Sequence, residues 1–126
     1  MSDPITVVPS SIIFHTNEEL ETLKVFLGRE KLIKLDLEED GVAVNLSTVT
    51  RMKMLFGDTW VDSQTDTGVF DWDVGVTGRI HLQLGKKLTI PENLYNDVPL
   101  VLISPAKPMG DVWELPFQWH VIDLQD

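Results

Sequence analysis

Apolar and polar residues alternate with a period of two along most of the chain. In WELPFQWHV, Trp113, Leu115, Phe117, Trp119 and Val121 fall on one side, with Glu114, Gln118 and His120 between them. That is the pattern of a half-buried strand. RIHLQL repeats it, with Ile80, Leu82 and Leu84 facing one way and Arg79, His81 and Gln83 the other. TRMKMLF sets Met52, Met54 and Phe56 inward, opposite Arg51 and Lys53. KLIKLDLEEDGVAVNL has the outline of a hairpin. Ile33, Leu35 and Leu37 line one arm, Asp40-Gly41 makes the turn, and Val42, Val44 and Leu46 line the return. Shorter strands are expected at Thr59 to Ser63, Val69 to Trp72 and Asn96 to Ser104, the last apolar on both faces and therefore central.

Residues 17–27 fit two patterns. Thr16 with Glu19 has capping-box spacing, Leu20, Leu23 and Leu27 share a helical face, and Gly28 supplies a stop. The same stretch contains the strand TLKVFL, turning at Gly28 to pair with Lys31 to Leu37. The strand is preferred, because the segments after it are strands and a lone helix needs a separate apolar surface to cover. Before it, Pro4 and Pro9 interrupt any continuous ladder, so residues 1–16 read as an extended N-terminal arm and residues 17–126 as one domain. Near the other end, PAKPMGD reads as the connection between the last two strands, with Gly110 free to take positive φ. The expected fold is all-β, an immunoglobulin-like antiparallel β-sandwich of seven to eight strands. Trp113, Phe117 and Trp119 belong to its core.

At 126 residues, 43% of them hydrophobic, the chain can bury a single core without a metal or a cross-link. A formal net charge of −10 changes the picture of its partners. Phosphate backbones and anionic lipid surfaces are repelled, so neither nucleic acid nor membrane is expected to bind. The absence of cysteine removes disulfides, thiolate metal sites and cysteine nucleophiles. MSDPITVVPSSIIF has neither a basic n-region nor an apolar h-region, and no secretory signal is expected.

Candidate chemistry is sparse. His15, His81 and His120 lie far apart in sequence, and a site shared by the last two needs their strands adjacent with both rings turned to one point. DLEED (Asp36 to Asp40) and FDWDV (Asp71 and Asp73) offer hard oxygen ligands but lack the order of a calcium loop. Ser10, Ser11, Ser47, Ser63 and Ser104 lack a nucleophile elbow, and GVTGR is too short to cradle phosphate. No catalytic residue, metal or cofactor is assigned, and the chain is read as non-enzymatic. Trp60 and Trp72, close to loops and to acidic residues, are the candidates for a carbohydrate-binding or host-adhesion platform.

The order TLKVFLGREKLIKLDLEEDGVAVNLSTVTRMKML runs strand, glycine turn, strand, acidic-Gly hairpin, then a V-x-L-S step into a further strand. It resembles the immunoglobulin-like domains of tailed-phage virion proteins and is similar to the N-terminal domain of the baseplate upper protein family. VDSQTDTGVFDWDVGVTGRIHLQLG looks like the strand pair that ends in G-x-I-x-L-x-L there, and LYNDVPLVLISPAKPMGDVWELPFQWHV like the closing hairpin. The likeness spans about Thr22 to Leu124 and rests on strand order and turn residues. Those proteins continue into long C-terminal regions, whereas this chain stops at Asp126, and the arm before Ser10 is not part of their pattern. The resemblance therefore implies an accessory or connector subunit of the tail, neck or baseplate, or a head decoration. Such a subunit is made in the host cytoplasm, resides in the virion and contacts other virion proteins, as a homo-oligomer or ring. The arm is the expected assembly contact, through Ile5, Val7, Val8, Ile12, Ile13 and Phe14, which can add a strand to a neighbour's sheet edge.

Overall fold

The computed structural model describes residues 5–7, 12–16, 22–39, 41–72, 78–115 and 117–124. In chain order these hold β1 (Ile5–Val7), β2 (Ile12–Thr16), β3 (Thr22–Leu27), β4 (Ile33–Glu39), β5 (Val42–Ala43), β6 (Arg51–Phe56) and β7 (Thr59–Asp62). They continue with β8 (Phe70–Trp72), β9 (Arg79–Leu82), a 3₁₀ turn at Leu84–Lys86, β10 (Asn93–Asn96), β11 (Pro99–Ser104), β12 (Lys107–Glu114) and β13 (Gln118–Asp123). Sheet A has the order β1-β2-β4-β9-β8, with β5 hairpinned onto β4; sheet B is β10-β13-β3 and sheet C is β12-β11-β6-β7. Together they form a sandwich-like all-β fold around one apolar core.

Each sheet points one alternating set of side chains into that core. Ile33, Leu35 and Leu37 enter from sheet A, Leu23 and Val25 from sheet B, and Met52, Met54 and Phe56 from sheet C, all buried. Trp119 lies at the centre, fully buried and edge-on to Phe56 at 5.8 Å and to Phe117 at 6.4 Å between ring centroids. Edge-to-face packing sets the positive rim of one ring against the negative face of the next. The tryptophans of the C-terminal run, Trp113 and Trp119, are therefore core residues, as the alternation requires.

The strand count exceeds the expected seven to eight, in part because β1 and β2 form in the segment expected to be an arm and in part because two expected long strands are broken. Asn96 to Ser104 is interrupted at Asp97, which takes φ of 53°, and the run from Trp113 to Val121 is interrupted between β12 and β13. The two breaks are partners. Asn96 pairs with Gln118 on one side and Pro99 with Glu114 on the other, so two residues face three across the interruption. This one-residue excess bends a single long hairpin from sheet B into sheet C. Inward alternation survives the bend, with Trp113, Leu115, Phe117 and Trp119 all buried.

Three further expectations are corrected. TLKVFL is a strand, but it does not pair with β4. It lies parallel to β13, Leu23 opposite Trp119 and Val25 opposite Val121. Both flanks of β4 are already taken, by β2 and β9. Second, PAKPMGD is not a loop: the turn is confined to Pro105 and Ala106, and β12 starts at Lys107. Gly110 takes φ of +97° where β12 bulges against β11. Third, Val42 is 68% exposed rather than inward, because β5 pairs for only two residues before the chain leaves the sheet.

Candidate functional site

The N-terminal segment is extended, but it is built into the chain's own sheet. In β1 and β2, Ile5 pairs with Thr16 and Val7 with Phe14; β2 in turn pairs with β4, Ile12 opposite Glu39, Ile13 opposite Glu38 and Phe14 opposite Leu37. Val8 and residues 17–21 lie outside the described residues. The arm thus joins the sandwich through β2, and β1 stands at the end of the strand order of sheet A. A strand at that position offers one flank for pairing with another chain.

The structure separates the two candidate tryptophans. Trp60 is on β7 in sheet C, 43% exposed, with the Lys53 ammonium 4.2 Å from its ring centroid. Trp72 is on β8 in sheet A and packs against the core, its indole N–H buried without a hydrogen-bond partner among the described residues. The two rings belong to different sheets, each on the last strand of its sheet order. His81 and His120 are likewise divided, between β9 of sheet A and β13 of sheet B. Among the described residues no group of three or more metal-ligating side chains converges. Of the acidic candidates, Asp36 is paired with Arg79 at 3.0 Å, while Asp40 and Asp73 lie outside the described residues.

Two polar arrangements escape a reading of the sequence. After β7, Arg51 holds Asp62 through two nitrogens, Asp62 accepts the Gln64 N–H at 3.0 Å, and Asp66 accepts the Asp62 N–H at 2.9 Å and the Lys87 ammonium at 3.0 Å. The Arg51 guanidinium holds the Asp62 carboxyl below the usual carboxylate range, against the opposing effect of burial. This lock is structural, since it fixes the Asp62–Gly68 turn. The second is a cleft of about 440 Å³ between β5 and the β11–β12 hairpin. Asp111 sits in it, taking hydrogen bonds on one oxygen from Trp113 Nε1 at 3.2 Å and Lys107 Nζ at 3.2 Å. The first joins Arg51, Asp62, Asp66 and Lys87 from separate segments, for which spacing gives no signal, whereas the contacts of Asp111 lie within β12 and only the cleft wall from β5 is distant in sequence.

No protein-family model matches this chain, nor does any curated protein or solved structure. The site must be read from its own surfaces. No helix among the described residues is long and apolar enough to cross a membrane. Among the described residues the sheet orders end at β1 and β8, β10 and β3, and β12 and β7, and the outer face of sheet C carries Trp60 and Val112, 43% and 58% exposed. Such features bind other polypeptides by strand addition or by face packing.

Proposed function

We propose that this chain is a non-enzymatic structural protein of a tailed-phage virion, an accessory subunit of the tail, neck or baseplate or a head decoration. It acts through protein–protein contacts with other virion proteins and with copies of itself. The carrying observation is the N-terminal hairpin, which lays β1 along the rim of sheet A and so presents a strand edge to neighbours. The resemblance in strand order and turn residues to phage immunoglobulin-like domains supports the same reading. The exposure of Trp60 favours a second reading, a glycan-binding or adhesion module.

The test is quantitative mass spectrometry on density-purified particles of the phage or prophage that encodes the chain. A fixed copy number per particle, resistant to washing, is expected. Particles of full mass that lack the chain would overturn the assignment.

A further inference from the structure

The outer face of sheet C has a composition unlike that of a solvated sheet. Met52, Met54 and Phe56 on β6, Leu100 and Leu102 on β11, and Val61 on β7 all point inward and are buried. The residues between them point outward in rows set by strand register. One row runs Val112, Val101, Lys53, Asp62 across the four strands, with Val101 and Asp62 already buried within the chain. The next runs Glu114, Pro99, Leu55, Trp60, since the pairing of Leu100 with Met54 sets Pro99 opposite Leu55. The apolar members of the two rows, Val112 and Val101 in one and Pro99, Leu55 and Trp60 in the other, lie side by side, with Val112 and Trp60 exposed.

The charges on this face also set it apart. The chain carries a formal −10, so two copies repel unless they meet where the charge is locally balanced. Here Arg51 and Lys53 are matched by Asp62 and Glu114. Their placement is self-complementary. Glu114 stands on β12 at one edge of the sheet, and the Lys53–Trp60 stack stands on β6 and β7 at the other, with Trp60 in the same row as Glu114. A two-fold axis running parallel to the strands, between β11 and β6, carries each Glu114 over the Trp60 of the other copy and beside its Lys53. It also sets Pro99 against Leu55. A two-fold contact of this kind uses one patch twice, so each charge pair is made twice.

We propose that the outer face of sheet C is a self-association surface, on which a second copy of this chain packs face to face with Glu114 of each copy meeting the Lys53–Trp60 pair of the other. This rests on the reading of the chain as an assembling structural subunit and names the surface that self-assembly uses. Sheets stacked face to face lie about 10 Å apart and align within about 30°. That geometry agrees with an axis along the strands.

Sedimentation equilibrium on the purified full chain decides the matter without particles, so its outcome is independent of the virion test. The wild type is expected to reach twice the 14.3 kDa chain mass as concentration rises. Lys53→Glu and Glu114→Lys, each placing like charges together, are expected to weaken the dimer at least about tenfold. The double variant Lys53→Glu/Glu114→Lys restores the opposite-charge pairing and is expected to dimerise within about threefold of the wild type. Far-UV circular dichroism and a cooperative melt establish that each variant is folded, and Trp60→Ala, which weakens the same contact without altering charge, is a second route to the monomer. A wild type that stays monomeric to about millimolar concentration would overturn the proposal, as would single variants that dimerise like the wild type or a double variant that is not rescued.

Discussion

Arg51 and Asp62 meet two nitrogens to two oxygens at the start of the turn that follows β7, with Nε donating to Oδ1 at 2.9 Å. The carboxylate is 8% exposed by residue and takes a further hydrogen bond from the Gln64 N–H, so its charged form is favoured in the fold. The Asp62 pKa is lowered, chiefly by the Arg51 hydrogen bonds. A carboxyl depressed in the folded state contributes stability that is fully present above its unfolded value, about 3.9, and lost as pH falls through the folded value. Urea unfolding in dilute solution is therefore expected to show the wild type losing stability below about pH 4 more steeply than Asp62→Asn. At neutral pH the same substitution is expected to cost on the order of 2 kcal/mol, because charge-assisted hydrogen bonds are replaced by neutral ones.

Gly78 leads into β9 with φ of +65°, and its carbonyl accepts the Leu37 N–H at 2.9 Å. A Cβ at this position comes 2.3 Å from the Leu37 carbonyl oxygen, which is backbone and cannot swing aside. Gly78→Ala is expected to destabilise the fold by about 3 kcal/mol, combining left-handed strain with the displacement of β4. Gly110, at φ of +97°, offers a contrast. Its nearest neighbour is the Val101 Cγ1, at 2.3 Å from an added Cβ, and a side chain can change rotamer. Gly110→Ala combined with Val101→Ala is expected to recover part of the loss of the single Gly110→Ala, measured by thermal melts of all three variants.

The core was legible in the sequence wherever alternation held. Ile33, Leu35 and Leu37, Met52, Met54 and Phe56, and Trp113, Leu115, Phe117, Trp119 and Val121 are inward as the period of two requires, and the same rule turns Val112 outward. Register and pairing were not legible. Nothing local in TLKVFL distinguishes an antiparallel partner at β4 from a parallel one at β13, because both present the same inward alternation. The Asp62 turn was hidden for a related reason: Arg51, Asp62, Asp66 and Lys87 come together only once β6, β7 and the segment after β9 are packed. The N-terminal prolines marked interruptions, yet they left the five-residue β2 intact to join β4.

Trp119 and Trp60 are expected to separate core from surface energetically. Trp119→Ala removes a fully buried ring that touches Phe56 and Phe117, and a loss of about 4 kcal/mol is expected. Trp60→Ala, at concentrations where the chain is monomeric, removes only a surface ring and its cation–π contact with Lys53, and is expected to cost about 1 kcal/mol or less. Denaturant titrations followed by circular dichroism, which does not depend on the deleted fluorophore, compare the two. Near-equal losses would contradict the placement of Trp119 at the centre of the fold.

The bend between β12 and β13 carries a sharper prediction, since two residues between β10 and β11 face three between β12 and β13. That excess residue keeps Trp113 and Trp119 on the same inward side while the hairpin passes from sheet C to sheet B. Deleting one residue from the three shifts the alternation of β13 by one position, which turns Trp119 and Val121 outward and His120 inward. A chain so altered is expected to lose its cooperative melt. Deleting one residue of the three together with inserting one between Asp97 and Val98 leaves the shift in β13 uncorrected, and is expected to fail equally. Adding a glycine to the Pro105-Ala106 turn, which lies beyond the bend, is expected to leave a folded protein with a lowered melting temperature. If the single deletion at the bend melted like the wild type, the bulge would not be what holds the two sheets in register.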